Sequence, residues 1–422
     1  MPAPVSSRLR PPTDPVRITF DGEEIVAERG EPICAALVAA GRVVVARSPK
    51  FHRPRGPSCM RAACDGCLAR VDDTPNIMTC MTPCEEGTSV VTQNRLGPRE
   101  ADFLRMTDWF FPEGLNHHEL FAGVPGVQQV MQAFARRVAG LGKLPAKREG
   151  ARAAERRAVD VVVVGGGPSG MAIATRLAKK GRAVEILDDQ LSPGGGALAL
   201  PDDEALSNVR ASCMKLARGD GLRIRARTTA AGVYGRDLLV VGPDGAEILE
   251  PKTLVLACGA HDGVLAFEGN DVPGVMSARA AGLFLSRGVL VGERVVVIAG
   301  PGPFGDAYAR AAGKSCKVEV IRGEPIAAKG ATRVKSVVVK TSRGEKKLEA
   351  DAVLVDAPRA PAYELAEQAG AKLRHESAGY VVVTDGGLVA DDVYAVGEMT
   401  GTPIDAARIE VEAERVAARI LG

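Results

Sequence analysis

Apolar and polar residues alternate over residues 16–20, the period of a strand with one buried face, and Asp21-Gly22 supplies the turn that ends it. Residues 32–40 carry the spacing of a short helix, stopped by Gly41. Residues 43–46 and 68–71 read as further strands, with a cysteine-rich loop between them. These pieces predict a small mixed α+β module over residues 14–97. From Val159 onward the texture changes. Runs of Val and Ile alternate with Gly-rich turns and Ala-rich helices, the mark of an α/β fold around a buried parallel sheet.

Between these regions, residues 103–121 collect Phe103, Phe110, Phe111 and Phe121, four of the ten Phe, with the single Trp, Trp109, and the pair His117-His118. Aromatic side chains bury first, so the stretch reads as a connector packed over its neighbours rather than a partner surface or metal site. Residues 136–157 hold eight Arg or Lys against two Glu and read as a solvated linker. At 422 residues, with 46% hydrophobic and 25% charged residues, the chain has the make-up of an ordinary soluble protein of two or three domains. A net charge of +2 gives no global pull toward nucleic acid or a membrane surface. No apolar run reaches the length of a membrane span, and the proline-rich opening lacks the apolar core of a signal peptide. Nine cysteines are too few for a disulfide scaffold, which makes the cytoplasm the expected compartment.

Four of those cysteines, Cys59, Cys64, Cys67 and Cys80, form a C-x4-C-x2-C-x12-C array. The first three have the plant-type 2Fe-2S spacing, in which one tight loop supplies three thiolates and the fourth arrives from a later segment. Small residues and the turn-forming Asp65-Gly66 let such a loop fold its amides around a negative cluster. Zinc is the rival metal, but structural zinc sites usually pair two C-x2-C units, and the array has one. Cys84, shortly after Pro83, is the alternative fourth ligand, and Cys34 reads as core.

Two glycine loops follow. Residues 161–164 form a buried-strand run leading into Gly165-Gly166-Gly167-Pro168-Ser169-Gly170; a helix to Lys180, a Gly181 cap, and a strand over 183–187 come next. Strand, loop, helix, strand and acid in that order make a dinucleotide-binding unit. Glycines admit the diphosphate, the helix N-terminus adds partial positive charge, and Asp188, or its neighbour Asp189, is placed to hold a ribose hydroxyl. The second unit runs from residues 295–298 into Gly300-Pro301-Gly302-Pro303-Phe304-Gly305, a helix to about Ala312, and a strand over 318–321. Arg322 stands at its acidic position, which suits the 2′-phosphate of NADP better than NAD, so a nicotinamide cofactor, NAD(P), is a candidate there beside a reading as a decayed site. Cys213, Cys258 and Cys316 stand far apart, so a redox-active dithiol is not expected.

Further segments carry a resemblance. Phe51-His52-Arg53-Pro54-Arg55-Gly56, Thr92-Gln93-Asn94-Arg95, Ala139-Gly140-Leu141-Gly142, Ala257-Cys258-Gly259-Ala260-His261 and Asn270-Asp271-Val272-Pro273-Gly274-Val275-Met276 are similar to stretches of the α subunits of heteromeric sarcosine oxidase and its relatives, the opine, proline and hydroxyproline dehydrogenases and hydrogen cyanide synthase. The resemblance implies a ferredoxin-like α+β module followed by an α/β flavoprotein of glutathione-reductase type, with two dinucleotide-binding domains. The expected layout is a disordered start (1–13), a 2Fe-2S domain (14–97), a connector and basic linker (98–157), an FAD domain (158–266), an inserted NAD(P)-type domain (267–357) and the FAD return (358–422).

It also implies that Gly165, Gly167, Pro168, Ser169, Gly170 and Asp188 take the adenosine end of FAD. Gly194 and Gly195 lie in the turn beside the isoalloxazine, and Gly397 and Glu398 in the returning FAD segment. Glu398 stands where relatives usually have Asp, Gly196 where they often have Gln, and Cys258 where they often have Thr. The family's β subunit carries a second flavin and dehydrogenates an amine, which makes this chain an electron-transferring member of a hetero-oligomer. Two other readings stand beside that one: a free-standing NAD(P)H-dependent reductase built on Gly300, Gly302, Gly305 and Arg322, and a redox-inert assembly subunit with zinc in the cysteine loop. No catalytic base is assigned; His261 is as well explained as a turn residue.

Overall fold

The structure is a computed structural model and describes residues 7–49, 51–95, 126, 127, 129, 130, 153–219 and 221–422. The aromatic connector with His117 and His118, and most of the basic linker, lie outside the described residues.

The alternation at residues 16–20 does what its period requires. Strand Pro15–Phe20 buries Val16, Ile18 and Phe20 and pairs antiparallel with Glu23–Glu28 across a turn at Asp21-Gly22, where φ is 51° and 87°. The first sheet has the order Glu23–Glu28, Pro15–Phe20, Ser89–Thr92, Leu68–Val71, Thr74–Met78. Helix Ile33–Ala39 lies over it with all seven residues buried. The strand expected over residues 43–46 shrinks to Ala46–Arg47, which pairs with Pro54–Arg55 and touches Gln93 by a single bridge; Val45 already bonds from its amide to the Arg55 carbonyl.

The expected disordered start is ordered from residue 7. Ser7 donates to the Ala39 carbonyl at 2.9 Å and accepts from the Leu290 amide at 2.8 Å, while Leu9 donates to Gly288 at 2.8 Å. Prolines deny this segment a regular element of its own, but its remaining amides and carbonyls can pair with two other parts of the chain. Arg8 then forms an ion pair with Glu31, whose side chain is 5% exposed.

The second sheet runs Leu222–Arg225, Val184–Leu187, Glu155–Val164, Gly245–Leu256, Asp237–Gly242, Thr229–Tyr234; the returning strand Val393–Ala395 joins parallel to Gly245–Leu256. Its first four members are mutually parallel, and Val161 to Val164 are buried. The strand begins at Glu155, inside the stretch read as a solvated linker. Carboxylates on neighbouring strands explain this: Arg157 pairs with Glu185 at 2.6 Å and Glu247 at 3.2 Å, and Arg156 with Asp237 at 2.8 Å and Glu250 at 2.6 Å. Basic side chains matched across a sheet join it instead of leaving it.

A third sheet, parallel throughout, has the order Val275–Ser277, Ala352–Val355, Arg294–Ile298, Lys317–Ile321, with an antiparallel meander Glu324–Gly330, Val334–Thr341, Gly344–Glu349 beside it. Both passages between the second and third sheets pair as Ala260–His261 with Ala360–Pro361. The C-terminal helix Ala406–Leu421 packs on helix Pro168–Lys179 behind the first glycine loop. No helix among the described residues is long and apolar enough to cross a membrane.

Removing Arg8 leaves the Glu31 carboxylate buried without its cation. Arg8→Ala should lower unfolding free energy by about 1–3 kcal/mol, read by denaturant titration, and should expose the N-terminal segment to limited proteolysis.

Candidate functional site

The cysteine loop leaves strand Pro54–Arg55 and re-enters the sheet at Leu68–Val71; Cys80 follows strand Thr74–Met78. Four thiols that are separate in sequence meet as two pairs. Cys59 donates to Cys64, and Cys80 to Cys67. In each pair the accepting thiol is pushed down, chiefly by its partner's S–H. Cys64 is lowered to about 7, helped by the Gly66 amide, and Cys67 is lowered with help from the Cys80 amide and the Thr79 hydroxyl.

Backbone amides point inward throughout: Arg61 and Ala63 at Cys59, Ala62 at Cys80. Met60 and Ala62 adopt left-handed φ of 57° and 58°, which turns nearby amides into a concave nest suited to an anion. Two bridged irons, each held by two thiolates, need two such pairs. The residues present therefore fit a 2Fe-2S cluster. Cys84 is fully buried in a separate core with Val16, Phe20 and Ile33. Cys34 is also fully buried, its Sγ 3.2 Å from Met60 Sδ.

This loop is pressed against the α/β body. The Ser277 amide donates to the Ser58 carbonyl at 3.0 Å, and Arg55 pairs with Asp271 at 2.5 Å. Met60, Cys67 and Cys80 belong to the same hydrophobic core as Val161, Met171, Met276 and Phe304.

The first glycine loop opens into a cleft lined by Gly165, Gly167, Pro168, Ser169, Asp188, Asp189, Gly195, Gly397 and Glu398, and also by Arg61 from the cysteine loop. Gly165 has φ of 106°, and a Cβ there would lie 2.2 Å from the Ala257 carbonyl oxygen. A Cβ on Gly170 would meet the Gly165 carbonyl at 1.9 Å, so helix and strand are locked together. At Gly167 the nearest atom to such a Cβ is 3.9 Å away. That space, in front of the amides of helix Pro168–Lys179, is where a diphosphate fits. Gly194 donates to the Gly166 carbonyl at 2.7 Å, which places the Gly194-Gly195 turn against the loop.

Asp188 accepts from the Gly166 amide at 2.7 Å and the Gln190 amide at 2.8 Å. Burial, and then the neighbouring Asp189 charge, push its pKa up to about 6. Asp189 lies beside it on the cleft wall and is less buried.

At the return segment, Gly397 donates to Glu412 at 2.8 Å, and the Thr400 and Thr402 hydroxyls donate to the same carboxylate at 3.0 and 2.8 Å. Glu412 was not singled out from the sequence; its only trace there is an acid within the C-terminal helix. Glu398 uses its extra methylene to reach Arg359, whose Nε donates at 2.7 Å.

The second loop keeps the strand–loop–helix geometry and is filled differently. The Asp356 carboxylate accepts from the Gly305 amide at 3.0 Å, in the first turn of helix Phe304–Ala312. A Cβ on Gly302 would lie 2.4 Å from Asp356 Oδ1 and 2.7 Å from Arg359 Nη1. Here the protein's own carboxylate occupies the anion position that Gly167 leaves open. Gly300 is pressed on the Asp356 backbone, and Arg322 is exposed at the end of strand Lys317–Ile321. Arg359 also lies over the Phe304 ring at 4.9 Å. His261 lines the first cleft and faces Glu364 at 3.4 Å.

Comparison with known proteins agrees with this architecture. A family model described as a 2Fe-2S iron-sulfur cluster binding domain matches residues 13–95, and one described as an NAD(P)-binding Rossmann-like domain matches residues 163–220. The chain is 30% identical to the α subunit of sarcosine oxidase from Rhizobium meliloti (strain 1021) over 65% of its own length and 30% of that protein's. It is 35% identical to the HcnB subunit of hydrogen cyanide synthase from Pseudomonas aeruginosa over 34% of its length and 33% of that protein's. The match to an opine oxidase subunit from Agrobacterium tumefaciens (strain Ach5) is 28%, over 34% and 32%. These alignments span about a third of each relative. The crystal structure of L-proline dehydrogenase from P. horikoshii superposes with a TM-score of 0.75 at 22% identity, covering 99% of this chain and 75% of that one. That likeness speaks for the fold. The expected order, a ferredoxin-like module followed by a Rossmann-type flavoprotein, is borne out.

Two measurements follow from the geometry. Cys80→Ser should abolish the iron, acid-labile sulfide and visible absorbance of the purified chain, whereas Cys84→Ser should retain them. Asp188 holds its proton more tightly folded than unfolded, so its ionisation costs stability as pH rises from about 4 toward 6. The nucleotide-free chain should lose Tm across that window relative to Asp188→Asn, which lacks the titration.

Proposed function

We propose that the chain, similar over part of its length to the sarcosine oxidase α subunit, HcnB of hydrogen cyanide synthase and an opine oxidase subunit, is the electron-transferring subunit of a heteromeric amine or imino-acid oxidoreductase. In this reading Cys59, Cys64, Cys67 and Cys80 hold a 2Fe-2S cluster. The first glycine loop, with Gly165, Gly167, Pro168, Ser169, Gly170, Asp188 and Asp189, holds the adenosine half of FAD. Gly194, Gly195, Gly397 and Glu398 face its flavin end. The cluster supplies one-electron steps and the flavin supplies both one- and two-electron steps. A partner subunit with its own flavin oxidises the amine.

The observation that carries this reading is the shared wall. The cysteine loop contributes Arg61 to the dinucleotide cleft, and three of its thiol or thioether groups sit in the core of the flavin domain. Electron transfer weakens steeply with distance, so a cluster serving a flavin has to lie against it. The amides around the thiols and the apolar packing behind them fix the cluster position and exclude water, two of the levers that set its potential. The reading as an NAD(P)H reductase is less well supported, because Asp356 and Arg359 occupy the second loop where a diphosphate would approach.

The test is an anaerobic titration of the purified chain with NADH and NADPH, following the visible spectrum and the cluster EPR together. The expected result is a bound flavin and an iron–sulfur cluster that ignore both nucleotides and become reduced when an amine-oxidising partner is added with its substrate. Flavin bleaching by NADPH with a growing cluster signal would replace this reading with the reductase. Oxidation of an amine by the chain alone would remove the subunit role, and zinc without iron would remove electron transfer.

A further inference from the structure

Arg61 stands between Met60 and Ala62 in the loop bounded by Cys59 and Cys64, yet it lines the cleft of the first glycine loop alongside Gly165, Gly167 and Asp188. Four carboxylates share that wall: Asp188, Asp189, Glu364 and Glu398. Glu398 is answered by Arg359, and Glu364 lies 3.4 Å from His261 Nε2. Arg61 is the one Lys or Arg among the described lining residues. Its backbone amide is committed to Cys59 Sγ at 3.4 Å, but its guanidinium makes no ion pair or hydrogen bond with a described residue. Its charge is felt across the cleft by both Asp188 and Cys258.

A nucleotide diphosphate entering the open space at Gly167 brings two negative charges into a wall already rich in carboxylates. Helix amides supply only partial positive charge. A guanidinium supplies a full one and a planar fork that grips two phosphate oxygens at once. We propose that Arg61 is the diphosphate clamp of the dinucleotide site, lent to it by the cluster loop, so that nucleotide binding and cluster retention support each other. The inference rests on the reading that this cleft takes a dinucleotide such as FAD. Arg61 lies two residues from Cys59 and three from Cys64, so a loop released from its metal cannot hold the clamp in place. Linkage requires the converse in affinity: a diphosphate on Arg61 must make the cluster harder to remove at equilibrium.

The experiment uses the full chain with its cluster, stripped of flavin. FAD binding is read by flavin fluorescence, with ADP and adenosine as competitors. Arg61→Met at full iron and sulfide content should weaken FAD and ADP alike by about 10- to 100-fold, the worth of a charge-assisted hydrogen bond. Adenosine, which has no phosphate, should bind unchanged, and Arg61→Lys should recover part of the loss. In the wild-type chain, saturating ADP should raise several-fold the iron-chelator concentration that removes half the cluster at equilibrium, and adenosine should not. Arg61→Met binding FAD and ADP like wild type at full cluster content would overturn the proposal. So would the absence of ADP protection in the wild type, a measurement that stands even where the variants lose their cluster. Wild-type chain that binds ADP through Arg61 but refuses FAD would overturn the FAD assignment and leave the clamp standing.

Discussion

The packing of the cysteine loop against the α/β body is the contact on which the rest of the molecule depends. A loop that gathers four thiols and turns its amides inward has little apolar surface of its own. It is held because Met60, Cys67 and Cys80 enter a core whose other members come from the first parallel strands and from helices far along the chain. Ser58 bonds to Ser277 and Arg55 pairs with Asp271, so the segment leading into the third sheet holds the loop from the other side. The cysteine loop, the cleft of the first glycine loop and the third sheet thereby share one boundary.

The two glycine loops show how one backbone geometry serves two ends. Both follow a buried strand, and both place glycine where a Cβ would collide with the neighbouring chain crossing, 2.2 Å at Gly165 and 1.6 Å at Gly300. The difference lies in what faces the middle glycine. At Gly167 there is room; at Gly302 there is Asp356, with Arg359 behind it. A helix N-terminus attracts an anion whichever molecule supplies it. At the second loop the protein supplies its own, and Arg359 ties that carboxylate's neighbourhood to Glu398 on the wall of the first cleft.

Burial also decides which carboxylates act together. Glu412 holds the return segment by three hydrogen bonds from Gly397, Thr400 and Thr402. Asp188 does the same for the glycine loop through Gly166. The two buried acids fix two backbone segments that line the cleft.

Much of this was legible in the amino-acid order because it rests on local periodicity and fixed spacing. Alternation over residues 16–20 named the first strand, C-x4-C-x2-C the metal loop, and each strand–glycine–helix–strand run its Rossmann unit. Those signals span a few residues, and backbone sterics convert them directly into structure. What the order of residues left open depended on partners distant in the chain. Cys80 rather than Cys84 stands with the other thiols because Cys84 is drawn into the ferredoxin core with Val16 and Phe20. The basic start of the second sheet became strand because Glu185, Glu247, Asp237 and Glu250 arrive beside it. Residues 7–13 are ordered by hydrogen bonds to residues 39, 288 and 290. Arg61 in a metal loop and Asp356 after a late strand carry no local mark of a nucleotide site. Each reaches its glycine loop only when folding closes the long separation in sequence, so the sequence determined the elements and their chemistry, and the tertiary structure alone decided which charges meet.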